Sequence, residues 1–338
     1  MESLNTQVPR GFSLKCRSIK KEKSYFICSS DKGLNAIKKV SSSREDITIW
    51  HSVKETLYIN GFKNIDRFII SEDGSPYVVV DGETYVATDY FSSTHRDSDF
   101  GNRVDFSKIV SSVSEIHGIL KKATLENEEL FSGAPILFNE SVENIYNKNT
   151  SDLKGYKKNL SRQSRLSDFD VMFLKNYDFF TQSLEKWHDV ARNSDYHSVI
   201  DEGIFNNYIC HNLLKEETVL KSPDGELFVT NFSECGKAHF VNDLSSIIKR
   251  HVKCAASCEV LPLKAVLEIY NEKNSLSHEE LIALCALLIF PDKFLKLCAK
   301  YYERKRTWIP AAFIGRIAEI SNIRENMALY TNEFFNSL

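Results

Sequence analysis

The sequence predicts an α+β protein of two lobes, an antiparallel sheet lobe followed by a mainly helical one. Three observations carry this. Short β-rich runs separated by turn residues fill residues 1–91, helical spacing takes over from about Asp105, and one strand pair interrupts the helical part at residues 218–232. The lobes are therefore drawn as 1–91 and 92–338, with a central β hairpin in the second.

The elements follow in order. Ser24 to Ser29 and Leu34 to Val40 are strands meeting at Asp31-Lys32-Gly33, where glycine supplies the positive φ that a hairpin needs. Ile47, Trp50, Val53 and Leu57 recur at helical spacing up to Gly61, which suits a C-cap, so one helix packs on the sheet. Arg67 to Ser71, Tyr77 to Val80 and Tyr85 to Phe91 complete five strands, with Asp73-Gly74 and Asp81-Gly82 as turns. In the second lobe Phe106 to Leu120 is helical, and a polar, turn-poor stretch runs from Asn139 to Arg165. Ser167-Asp168-Phe169-Asp170 and Ser277-His278-Glu279-Glu280 are capping boxes that open further helices. Thr218 to Lys221 and Glu226 to Phe232 form the hairpin, joined through Ser222-Pro223-Asp224-Gly225.

Composition excludes several function classes. The chain has 338 residues and a net charge of -3, from 43 basic and 46 acidic residues, so no large positive field draws a nucleic-acid backbone. Of the 13 glycines no two lie closer than Gly74 and Gly82, which rules out Walker A, GxGxxG and GxSxG loops. The longest apolar run, Leu281 to Phe290, is about half of the roughly 20 residues a membrane span needs. Met1 to Arg10 lacks the apolar core of a secretory signal, so synthesis in the cytoplasm is expected. The 8 cysteines (Cys16, Cys28, Cys210, Cys235, Cys254, Cys258, Cys285, Cys298) include no CxxC pair and read as reduced, buried small hydrophobes. Cys254 and Cys258 share a helix face, but no second pair completes a tetrahedral site, so no metal is expected.

A sheet lobe followed by a helical lobe with one hairpin is the outline of a kinase-like fold. The segment Tyr208-Ile209-Cys210-His211-Asn212-Leu213-Leu214-Lys215-Glu216-Glu217-Thr218-Val219-Leu220, then Phe228-Val229-Thr230-Asn231-Phe232, then Asn242-Asp243-Leu244, resembles the HGDxxxxN, IDF, DLA pattern of aminoglycoside and choline phosphotransferases. Within that superfamily it looks most like the CotS-type spore-coat proteins. Gly61-Phe62, Phe169-Asp170, Phe173-Leu174, Ser194-Asp195-Tyr196 and Phe290-Pro291-Asp292-Lys293-Phe294 support the likeness, which runs from about Phe12 to Phe334.

In active members of that superfamily the aspartate of HGD accepts the substrate proton, while the asparagine five positions on and the IDF aspartate hold Mg²⁺. The matching positions are Leu213, Thr218 and Asn231, none of which keeps that chemistry. A positioned base alone contributes about 10²- to 10⁴-fold in rate. The resemblance therefore implies a pseudokinase with no catalytic residues and no metal. Lys38 in Ala36-Ile37-Lys38 matches the small-lobe lysine that faces nucleotide phosphates, so ATP with Mg²⁺ is the cofactor the likeness suggests, though none is required. Glu55, on the small-lobe helix, lies nearly opposite the apolar stripe and is poorly placed to pair with Lys38.

Blander readings apply to most other polar residues. His211 and Asp243 match residues that support the catalytic loop rather than react, and His117 reads as packed core. Glu216 and Glu217 are the candidates to replace the lost carboxylate. Lys20-Lys21-Glu22-Lys23 and Arg304-Lys305-Arg306 read as solvated faces, and Tyr301, Tyr302 and Trp308 as mostly core. By resemblance, the chain is a spore-coat assembly protein whose partners are other coat proteins, with neither nucleic acid nor membrane involved. The alternative is an ATP-dependent small-molecule or protein phosphotransferase with a rearranged site.

Overall fold

A computed structural model describes residues 4–91, 100–255, 259–303 and 310–335. The first lobe opens with α1 (Gln7–Gly11), followed by β1 (Ser18–Glu22), β2 (Tyr25–Ser30), β3 (Gly33–Val40), α2 (Arg44–Ile59), β4 (Val78–Val80) and β5 (Glu83–Asp89). The strands form one antiparallel sheet in the order β1-β2-β3-β5-β4. Strand alternation divides its faces. Ile37 and Ala87 point into a small core with Val8 and Phe12, while Ala36, Lys38, Val86 and Thr88 face the second lobe.

Two sequence expectations change here. Arg67 to Ser71 is not a strand. It accompanies the free edge of β5 beyond the short β4 through one bridge, Phe68 to Thr88, before Ser71 N–H turns back to Ser75 at 2.9 Å. The fifth strand is instead β1, an exposed edge built from the lysine run, where charged side chains discourage pairing with another chain. The cysteines are not all reduced either. Cys16 and Cys28 form a disulfide with a Cα–Cα distance of 5.9 Å, because the β1–β2 hairpin lays the segment before β1 alongside β2. No local spacing signals a pair brought together by a hairpin. Cys258, Arg304-Lys305-Arg306 and Trp308 lie outside the described residues, as do residues 92–99 beside the expected lobe boundary.

The second lobe contains α3 (Arg103–Glu126), α4 (Val142–Leu160), α5 (Asp168–Arg192), α6 (Tyr196–Phe205), α7 (Val241–Cys254), α8 (Leu263–Asn271), α9 (His278–Ile289), α10 (Asp292–Glu303) and α11 (Pro310–Phe335). Four short strands interrupt it: β6 (Ile209–Cys210), β7 (Val219–Lys221), β8 (Leu227–Val229) and β9 (Gly236–Lys237). The capping boxes at Ser167 and Ser277 are formed, as is a third at Ser43 before α2. The polar stretch folds as α4, which buries Val142, Leu153 and Leu160 against α5. The β7–β8 hairpin turns at Gly225, whose φ of 88° suits glycine. One core joins α2 of the first lobe to α3, the hairpin and α7 of the second, so the lobes share their packing.

With a sequence separation of 12 residues, the Cys16–Cys28 bridge should stabilise the first lobe by about 3 kcal/mol. Alkylation of the unfolded, unreduced protein followed by peptide mapping should leave Cys16 and Cys28 unlabelled while Cys210, Cys235, Cys285 and Cys298 react.

Candidate functional site

The cleft between the lobes is a cavity of about 330 Å³. Its roof comes from the inner faces of β3 and β5, its back from α2, and its floor from the segment after β8. Lys38 lines it from β3, and among the described residues it makes no ion pair.

The charged residue that α2 sends into this cleft, beside Trp50, is Lys54. It falls on the buried stripe with Trp50, Val53 and Leu57, and its side chain is 3% exposed. A buried ammonium needs a counter-charge, and Asp66 provides one at 2.9 Å while its backbone carbonyl accepts a second bond at 2.8 Å. Phe68 lies under the same ammonium at 4.5 Å. Asp66 also accepts the Asn231 N–H, at 3.2 and 3.3 Å, so one carboxylate ties the helix of the first lobe to the loop of the second. Glu55 points elsewhere, clasping Arg67 through two bonds of 2.7 and 2.9 Å. A lysine on an apolar stripe was the available sequence signal for this pair; nothing marked Asp66, which lies in a loop.

Of the three degenerate positions, Asn231 lines the cleft and the other two do not. Its backbone is left-handed, with φ 61°, a conformation asparagine tolerates better than most side chains. Thr218 is 1% exposed, and its hydroxyl donates to the Leu213 and Lys215 carbonyls and accepts the Lys215 N–H at 3.0 Å. That hydroxyl closes a turn and is unavailable to a ligand. Leu213 offers no proton acceptor. Glu216 turns away to a buried ion pair with Arg250 on α7, whereas Glu217 lines the cleft.

Asp243 sits under the loop and is 2% exposed. Its carboxylate accepts the N–H groups of His211 at 2.6 Å and Asn212 at 2.8 Å, and approaches His117 Nε2 at 3.4 Å. Burial pushes this carboxyl up, but the His117 hydrogen bond, the neighbouring imidazoles and the Asn212 N–H together hold it below the usual carboxylate range. His211 Nδ1 accepts the Leu213 N–H at 3.2 Å, leaving Nε2 to donate to the Thr230 carbonyl at 3.0 Å, the bonding of a neutral ring. His117 also meets the Tyr270 hydroxyl at 2.7 Å and stacks on Phe240. Both histidines are held by the core, and neither lines the cleft.

The donor set does not fit Mg²⁺. The carboxylates lining the cleft are Asp66, Asp89 and Glu217. Asp66 is already ion-paired with Lys54, and burial together with the Asp66 charge pushes the Asp89 carboxyl up. Among the described residues no three of His, Cys, Asp or Glu converge as a metal site.

A five-stranded lobe, a helical lobe and a loop spanning His211 to Thr218 at their junction define a kinase-like phosphotransferase fold. An aminoglycoside phosphotransferase from Alicyclobacillus acidocaldarius superposes with a TM-score of 0.81 at 15% identity, covering 100% of this chain and 98% of that one. A spectinomycin phosphotransferase gives 0.64 at 10% identity, covering 95% and 97%. An aminoglycoside phosphotransferase homologue from Ralstonia eutropha gives 0.55 at 9% identity, covering 95% and 93%. Identities this low establish the fold alone. The chain itself belongs to the family described as "Spore coat putative kinase YutH", whose model matches residues 5–333. No curated protein matches it.

Lys54→Met leaves Asp66 charged and buried without its partner, so it should lower unfolding stability by about 3–5 kcal/mol, read from urea titration. The buried histidines set a pH dependence. Burial pulls His117 and His211 below their ordinary value, against the opposing pull of Asp243, so the unfolded chain binds protons that the folded one refuses. Their contribution is present above about pH 6.5 and is lost as pH falls. The unfolding free energy from urea titration should therefore drop between pH 7 and pH 5, by at most about 1.4 kcal/mol per pH unit for each histidine.

Proposed function

We propose that this chain is a catalytically silent kinase-like protein that serves as an assembly component of the spore coat, made in the cytoplasm and working through other coat proteins. The observation that carries the inert reading is the Lys54–Asp66 ion pair. It occupies the cleft carboxylate nearest Asn231 with an internal cation, while Thr218 is consumed by its own turn. Phosphoryl transfer depends on metal charge and a base at these positions. The coat assignment is supported by family membership. Lys38 lines a cleft that persists in shape, so nucleotide binding without transfer would leave this reading intact.

The second reading, ATP-dependent transfer through a rearranged site, is favoured by Glu217 and Asp89 lining the same cavity as Lys38. Purified protein incubated with Mg-ATP and candidate acceptors distinguishes the two. The inert reading expects ATP hydrolysis and transfer no faster than in a Lys38→Ala variant. Turnover abolished by Lys38→Ala or Glu217→Gln would establish the enzyme instead. Imaging a tagged copy through sporulation tests the coat assignment separately, with signal confined to the mother-cell cytoplasm as the contrary result.

A further inference from the structure

Away from the cleft, α7, α10 and α11 enclose a groove of about 310 Å³ whose charge runs against that of the whole chain. Lys253, Lys293, Lys296, Lys300 and Arg316 line it, over a floor of Leu297, Ile320 and Ile323. Among the described residues Glu319 is the one acid in the lining, and Lys253 already holds it at 3.0 Å. Adjacent Asp292 is held by Lys249 at 2.9 Å. Lys293, Lys296, Lys300 and Arg316 form no ion pair with any described residue. Burial, and then the charges of Lys253, Lys249 and Arg250, pull the Lys293 ammonium below its ordinary range against the attraction of Asp292. Cations crowded this way are relieved by an anion from outside.

Spacing selects the kind of anion. Lys293, Lys296 and Lys300 follow one another along one face of α10, a row about 10 Å long at the helical rise. One carboxylate or phosphate would call for donors converging on a point, and these do not converge. At the Lys293 end the groove meets an apolar cavity of about 260 Å³, which shares Lys293, Ile320 and Ile323 and continues between Phe180, Phe294 and Met327. Arg324 lines that cavity, and its buried Nε–H has no acceptor. Among the described residues the groove lining contains no aromatic ring on which a nucleobase could stack.

We propose that the α10–α11 groove docks an acidic peptide segment of another protein. Its carboxylates lie along the lysine row, and one large apolar side chain enters the cavity, where a backbone carbonyl of the peptide accepts from Arg324. This gives the assembly reading a place of contact, yet the groove shares no lining residue with the cleft. Turnover of Mg-ATP would therefore defeat the inert reading and leave the docking proposal standing.

The test is fluorescence anisotropy of the full chain with a labelled decapeptide carrying four glutamates and one phenylalanine. Saturable binding is expected, weakened at least about tenfold by the pair Lys296→Glu and Lys300→Glu, both exposed side chains whose reversal leaves the melting curve unchanged. Replacing the phenylalanine by alanine, or filling the cavity with Met327→Trp, should each weaken binding as well. Absence of binding, equal binding by the charge-reversed protein, or tighter binding of an oligothymidylate of the same charge would overturn the proposal.

Discussion

A carboxylate buried where two lobes meet stays ionised only if its surroundings supply opposite charge and donors. Asp66 is in that position, and Lys54 and the Asn231 N–H satisfy it from opposite sides. The arrangement constrains its whole neighbourhood. Lys54 has to leave the solvent for the cleft, and Phe68 packs beneath it. The loop after β8 must present its N–H toward the first lobe, which the left-handed backbone of Asn231 allows. Lys54 and Asp66 are thereby spent on each other, while Lys38 still faces the cleft from β3.

Asp243 provides a parallel case one layer deeper. It too is a buried carboxylate, and it too is satisfied by the chain itself, through two loop N–H groups and His117. In the loop from His211 to Thr218 the hydroxyl, the imidazole and one of the glutamates all bond to internal partners. The α10–α11 groove is the opposite. There the cations outnumber the acids and the floor is apolar, so the unspent electrostatic energy lies on the helical surface rather than in the cleft.

Much of the architecture was legible because it rests on local chemistry. The capping boxes at Ser167 and Ser277, the stripe of Ile47, Trp50, Val53 and Leu57, and the Ser222 to Gly225 turn each depend on residues within a few positions of one another. Arg67 to Ser71 failed for the same reason in reverse. Its composition suits a strand, but β5 offers it only the short length of edge that β4 leaves uncovered. The Cys16–Cys28 bridge and the Lys54–Asp66 pair were illegible because each joins segments that only the folded chain places side by side.

The sequence by itself determined the order of sheet lobe, helix, hairpin and helical lobe, and the identities of Leu213, Thr218 and Asn231 where the fold class elsewhere carries acid and amide groups. Periodicity and turn residues act over a few positions, so one chain read in line suffices for these. Only the tertiary structure decided where each side chain is spent. It sends Glu216 to Arg250, Glu217 to the cleft, Glu55 to Arg67 and Lys54 to Asp66. Charges act through space and pay their desolvation where they are buried, and which charges lie close is set by packing rather than by order in the chain.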